Sequence, residues 1–291
     1  MDAHVTRGGM DGTAGRNAAN PRNGDAGTGR RSVIRVLVLG AAGRMGRAVL
    51  EAVNEQTDME IVGGVDVVRT DAVSPLFSRT SEAVRETSPD VSVDFSIAAA
   101  AASNALSILD AHVSPVIGTT GMSTQQIAAI RERAGSVGAF IAPNFAVGAV
   151  LMMEMAKLVA PHLDHAEIVE LHHDRKVDAP SGTAARTAEL IVTARDGRSV
   201  TDAITDKFTV DGVRGGVVGG VRIHSIRLPG LVAHQEVIFG GTGQTLSIRH
   251  DSTSRESFMP GVLLAVRQVR ALPGLVVGLE HLLFTSEGKD N

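Results

Sequence analysis

The sequence predicts a two-part α/β fold: a parallel sheet wound with helices, then an α+β part built on a mixed, mainly antiparallel sheet. Three observations predict it. Short aliphatic runs alternate with helical periods up to Phe145, the alternation stops there, and from Val221 three strand-like runs follow one another across short turns. At 291 residues the chain is long enough for two domains with a core each.

The first strand is VIRVLVLG (33–40), a continuous β-branched and aliphatic run of the kind buried on both faces. A helix is expected over 43–55 with Met45, Val49, Leu50 and Val53 inward. MEIVGGVD (59–66) is the second strand, and VSVDFS (91–96) the third, leading into an Ala-rich helix through His112. PVIGTTG (115–121) and AFIAPNF (139–145) are the fourth and fifth, with a helix over 123–134 between them. A long helix (148 to about 163) then leads to the strand HAEIVELHH (165–173), a loop, and a helix over 181–195. VRIHSIRLP, LVAHQEVIFG and GQTLSIRHD form the antiparallel strands. Residues 259–270 read as a final helix and GLVVGLEHLL as a last strand or turn. No internal repeat is evident.

Composition narrows the functional classes. Hydrophobic residues make up 43% and charged residues 21%, as in a globular domain. With 28 Lys+Arg against 32 Asp+Glu the net charge is −4, which argues against a nucleic-acid partner. There is no cysteine, which excludes disulfides, thiolate catalysis and cysteine zinc sites. Trp and Tyr are absent too, which argues against recognition by aromatic stacking. Residues 1–32 lack a hydrophobic period and are expected to be a disordered tail; they contain no apolar signal core, and Asp2, Asp11 and Asp25 fit a transit peptide poorly. The longest apolar stretch, from Pro143 to Pro161, is interrupted by Glu154 and Lys157, so no membrane span and a cytoplasmic location are expected.

Two stretches carry chemistry. GAAGRMG (40–46) follows a buried strand and opens a helix, a G-x-x-G-x-x-G variant of the dinucleotide fingerprint of Rossmann-like sheets. Gly40 permits the turn, Gly43 lets the backbone approach a pyrophosphate, and the amides at the helix start bind the anion. Asp66 ends the second strand about 20 residues past Gly46, where an acid meets the adenine ribose. An acid there repels a 2′-phosphate and favours NADH, whereas Arg69 is close enough in sequence to pair with that phosphate, so NADH and NADPH both stay open. GTTG (118–121) and APNF (142–145) fall at carboxyl ends of parallel strands, where such sheets place ligands.

ELHHDRKVDAPSGTA (170–184) gathers the densest titratable chemistry. One of the adjacent His172 and His173 can exchange protons near neutral pH, and Lys176, four residues past His172, supplies positive charge or a proton. Ser181 is a good helix N-cap, and Gly182 and Thr183 then expose amides that would grip a carboxylate. Together these suit a small dicarboxylate that accepts hydride and is protonated nearby. The spacing gives no third metal ligand, so no metal site is expected. His112, His224, His234 and His250 stand alone in the sequence and read as structural or surface residues.

GAAGRMG, GTTG, APNFAVG and above all E-L-H-H-x-x-K-x-D-A-P-S-G-T resemble the dihydrodipicolinate reductase family over about residues 33–283. The resemblance implies reduction of 4-hydroxy-tetrahydrodipicolinate by NADH or NADPH in the diaminopimelate route to lysine. Hydride would add to the cyclic imine after loss of the 4-hydroxyl as water. It implies a homotetramer, a dinucleotide-binding domain over 33–146 with 256–291, and a substrate-binding and tetramerisation domain over 147–255. By position, proton transfer falls to His172 and Lys176, and substrate contacts to His173, Gly182 and Thr183. The cofactor positions are Gly40, Ala41, Ala42, Gly43, Arg44, Met45, Asp66, Gly118, Thr119, Thr120, Ala142, Pro143, Asn144 and Phe145. Arg255 matches an arginine of the family pattern without an assigned role. Val67 replaces an arginine that some relatives carry, and Asp174 puts a negative charge in the reactive loop, facing either His172 or solvent. An aspartate or homoserine dehydrogenase-like enzyme and a non-catalytic nicotinamide-binding redox sensor are the alternatives.

Overall fold

The computed structural model describes residues 33–196 and 207–284. The tail expected over 1–32 lies outside them, as does the last part of the 256–291 segment.

Ile34–Leu39 forms β1, and its last four residues are buried, as an aliphatic run covered on both faces must be. The chain continues through α1 (Arg44–Asn54), β2 (Met59–Val65), β3 (Leu76–Phe77), α2 (Thr80–Thr87), β4 (Val91–Asp94) and α3 (Ala98–Asp110). Then come β5 (Ser114–Ile117), α4 (Thr124–Ala134), β6 (Ala139–Ile141) and α5 (Val147–Val159). The second half comprises β7 (His165–His172), α6 (Gly182–Ala194), β8 (Gly216–Val218), β9 (Val221–Arg227), β10 (Ala233–Gly241) and β11 (Gln244–Ser252). It ends with α7 (Met259–Gln268), β12 (Leu275–Val277) and α8 (Glu280–Leu283).

Seven strands form one parallel sheet in the order β12-β6-β5-β4-β1-β2-β3. The order reverses at β1, whose carboxyl end carries the glycine loop; an open α/β sheet receives its ligand at such a switch point. β12 pairs with β6, so chain that follows the second sheet in sequence adds a strand to the first. The second sheet runs β11-β10-β7-β9-β8 and is parallel only between β7 and β9. Period-two alternation turns Ile168, Glu170, Val237 and Phe239 to one face, all fully buried. α5 and α6 pack against this sheet.

Three elements had no clear signature. β3 and α2 fill a stretch where no element was expected, and β8 precedes the first of the three strands expected from Val221. The α2 segment TSEAVRET has a thin apolar stripe, Ala83 and Val84, and completes its buried face with Thr80 and Thr87. The Thr87 hydroxyl donates to the Ala83 carbonyl within the helix at 2.7 Å and the Thr80 hydroxyl to Asn104 Oδ1 of α3 at 2.8 Å, so both polar side chains are buried with their hydrogen bonds made. The strands around GTTG and APNF end at Ile117 and Ile141, which leaves both motifs as loops. Among the described residues no helix is long and apolar enough to cross a membrane.

Candidate active site

The glycine loop is shaped by close approach. Gly40 has φ +75°, and a Cβ there would stand 2.6 Å from the Phe95 carbonyl oxygen. A Cβ on Gly46 would overlap the Gly40 carbonyl, so only glycine lets α1 start this close to the turn. α1 opens on Gly43 with no side-chain cap and no acid in its first turn, which leaves its positive end open to an anion. Asp66 accepts from the Ala42 amide through Oδ2 and from the Val68 amide through Oδ1, both at 2.9 Å, pinning the carboxylate beside the loop. Gly40, Gly43 and Asp66 line a cavity of about 600 Å³ together with Arg79, Ser96 and Asn104.

The other predicted cofactor positions divide. Pro143 and Asn144 line a second, smaller cavity of about 150 Å³ that also contains His172 and Thr183. Thr119 is buried, and its hydroxyl donates to Asp94 Oδ1 at 2.9 Å. Phe145 is a core side chain, edge-on to Phe140 and tilted against Phe95. These two, with the buried Ala41 and Ala142, can therefore offer a ligand mainly backbone. Ala42, Met45 and Gly118 are half-buried, and Arg44 and Thr120 are exposed.

The smaller cavity is where the two sheets meet. Asn144, from the loop after β6, donates through Nδ2 to Thr183 Oγ1 at 3.3 Å, while its Oδ1 accepts the Ala146 amide at 2.9 Å. Thr183 stands in the first turn of α6, capped by the Ser181 hydroxyl on the Ala184 amide at 3.2 Å. His172 lies across this start with Nδ1 2.5 Å from Glu170 Oε2. Glu170 is fully buried and takes Arg227 on both oxygens, Nη1 at 2.9 Å and Nη2 at 2.8 Å. Burial pushes this carboxyl up, but hydrogen bonds from His172, Arg227 and Ser225 outweigh it and hold the group down at about 2.

The other reactive-loop residues sit apart from this lining. Lys176 donates to both oxygens of Asp178 at 2.8 Å; that contact pulls the Asp178 carboxyl below its ordinary value, against a smaller upward push from burial. His173 Nδ1 is buried and has no hydrogen-bonding partner among the described residues. Gly182 is exposed, Asp174 faces solvent, and Arg255 opens a 3-10 turn over Arg255–Phe258.

Two histidines read as solitary prove to be part of the site. His234 and His250 line the same cavity as His172, brought there by neighbouring strands β10 and β11. His234 Nδ1 donates to Asp251 Oδ1 at 2.7 Å, and its Nε2 accepts the Val232 amide at 3.3 Å. Burial pushes His250 down, with Asp251 opposing and His234 adding to the fall. Glu170 and Arg227 were also missed as functional candidates. A signal existed for Glu170, which shares a strand face with His172 at a spacing of two; Arg227 depends on the pairing of β7 with β9, which no local pattern announces.

Comparison with known proteins identifies the family. The family model described as dihydrodipicolinate reductase, N-terminus, matches residues 34–145, and the one described as dihydrodipicolinate reductase, C-terminus, matches residues 148–283. A 4-hydroxy-tetrahydrodipicolinate reductase of Moorella thermoacetica is 48% identical over 265 residues, covering 87% of this chain and 98% of its own. The protein of that name from Listeria monocytogenes is 47% identical over 264 residues, covering 86% and 100%. A dipicolinate-bound dihydrodipicolinate reductase from Paenisporosarcina sp. TG-14 superposes with a TM-score of 0.78 at 39% identity, over 86% of this chain and 99% of that one. An amine dehydrogenase from Mycobacterium smegmatis, at 14% identity and a TM-score of 0.58, shares the fold. With both family models matched in chain order and relatives aligned over nearly their whole length, the chain belongs to the dihydrodipicolinate reductase family.

Proposed function

We propose that this chain reduces 4-hydroxy-tetrahydrodipicolinate to tetrahydrodipicolinate with NADH or NADPH, the diaminopimelate step toward lysine, and that His172 and Lys176 handle its protons. The observation that carries the reading is the contact of Asn144 with Thr183: it joins the ligand end of the parallel sheet to the α6 start beside His172. The relative from Paenisporosarcina is solved with dipicolinate, a ring bearing two carboxylates, and we assign that class of ligand to the cleft around the smaller cavity.

The residues fit a dinucleotide. Gly40, Gly43 and the uncapped start of α1 suit its pyrophosphate, and Asp66 a ribose, within a cavity large enough for the adenosine half. When bound, the reduced nicotinamide supplies a hydride. The chain does the rest. Thr183 and Gly182, at the start of α6, hold one substrate carboxylate through backbone amides. Lys176 holds charge and delivers a proton once a substrate carboxylate takes the place of Asp178. His172, with Nδ1 committed to Glu170, keeps Nε2 for proton exchange with the ring. His173, next to His172 in the motif, is assigned the remaining substrate contact by its place in the sequence.

We assign the dinucleotide to residues 33–146 with 256–291, and substrate to 147–255. A homotetramer built on the second sheet is supported by the face opposite Glu170, where Val169, Leu171, Ile226 and Ile238 are left half-exposed. The enzyme works in the cytoplasm. The test is kinetic: His172→Ala and Lys176→Ala should each lower kcat by about 100-fold while NADH still binds. Unchanged turnover in both variants defeats the assignment.

A further inference from the structure

We propose that Glu170 is a positioning residue for this reaction: its carboxylate, buried on β7 and clamped by Arg227, fixes the His172 imidazole in the one tautomer that keeps Nε2 available for proton transfer. The proposal rests on the assignment of His172 to that transfer.

The register of the second sheet builds the arrangement. Glu170 and His172 are two apart on β7 and leave the same face. Parallel pairing sets Ser225 opposite Glu170 and Arg227 opposite His172, and antiparallel pairing sets Gln235 opposite Glu170 on the other side. Gln235 donates instead to Thr187 Oγ1 at 2.8 Å, which leaves the Glu170 carboxylate to its other neighbours. Oε2 takes His172 Nδ1 at 2.5 Å and Arg227 Nη1 at 2.9 Å; Oε1 takes Arg227 Nη2 at 2.8 Å and the Ser181 amide at 3.3 Å.

These donors fill the carboxylate from both ends and leave it no freedom to turn. A carboxyl held at about 2 is an anion at neutral pH and has no proton to give. The hydrogen in the short contact with His172 therefore sits on Nδ1, and the other ring nitrogen is the one that exchanges protons. The Ser181 amide ties the same carboxylate to the residue that caps α6. One buried group thus orients both the imidazole and the helix start assigned to the substrate carboxylate. Stability alone does not call for this, since a buried ion pair gains little over apolar packing of the same volume.

The experiment compares Glu170→Gln, Glu170→Asp and His172→Ala with wild type, alongside 15N NMR of the histidine rings. Wild type should show His172 protonated at Nδ1. Glu170→Gln can offer Nδ1 an amide hydrogen, so the ring proton should move to Nε2; kcat should fall about 100-fold with the KM for cyclic substrate and for NADH little changed. Glu170→Asp keeps the anion and should restore the Nδ1 proton and part of kcat. Wild-type His172 carrying its proton on Nε2 alone overturns the proposal, and that reading needs no variant to fold. So does a loss of kcat in Glu170→Gln with no change of tautomer, or wild-type turnover in Glu170→Gln when His172→Ala is inactive. Normal turnover in His172→Ala defeats the assignment of His172 itself, a separate failure.

Discussion

Arg227→Met tests how the buried carboxylate is stabilised, through folding rather than catalysis. Arg227 meets both Glu170 oxygens and also gives Nη2 to the Asp178 carbonyl at 2.7 Å. Moving a carboxyl from an ordinary 4.5 to about 2 is worth roughly 3 kcal/mol to the folded state at neutral pH, at about 1.4 kcal/mol per tenfold. Removing one partner of a buried ion pair costs about 3–5 kcal/mol. The two routes agree on about 3 kcal/mol at pH 7. The sign follows from the depressed carboxyl: its contribution is complete above about 4.5 and is lost as pH falls through about 2. In the variant, burial is opposed by His172, Ser225 and the Ser181 amide without the guanidinium, so the carboxyl rises and protonation relieves it. The gap between wild type and Arg227→Met should therefore be widest at pH 7 and shrink to less than half by pH 3. Urea unfolding followed by far-UV circular dichroism measures it, a suitable probe because the chain has no Trp or Tyr. An equal gap at both pH values, or one below about 1 kcal/mol at pH 7, would refute the reasoning.

Other perturbations address the dinucleotide end. Gly46→Ala puts a methyl group against the Gly40 carbonyl, so calorimetric titration should show NADH affinity reduced at least about tenfold, with overpacking of about 1–3 kcal/mol also lowering Tm. Unchanged affinity would mean the loop does not cradle the cofactor. Asp66→Asn removes the negative charge beside the ribose position while keeping an acceptor for the Ala42 amide. The ratio of kcat/KM with NADPH to that with NADH should rise roughly tenfold, the scale of one like-charge contact near a protein surface; a ratio that stays put removes Asp66 from cofactor choice.

What the sequence made legible, and what it did not, divides along the range of the interactions. β1, α1 and the glycine loop are written locally: the aliphatic run demands burial on both faces, and the spacing of Gly40, Gly43 and Gly46 reflects steric limits within one turn. Ser123 is equally local, accepting from the Gln126 amide at 3.2 Å while Gln126 Oε1 takes the Ser123 amide at 2.8 Å, a reciprocal cap that starts α4. α2 escaped because threonines replace part of the expected apolar stripe. The site was legible in the same proportion. The residues of the His-His-Lys to Ser-Gly-Thr segment could be picked out by type and order. Their grouping could not, since His234 and His250 look solitary until β10 lies between β7 and β11. Arg227 matters because β9 runs parallel to β7, and parallel neighbours are joined through long crossovers that leave no turn motif to set the register. A strand pattern identifies which face a residue occupies; its neighbour across the sheet follows only from the fold. Glu170 shows both halves of that rule, with its bond to His172 readable at a spacing of two and its bond to Arg227 invisible at a spacing of 57.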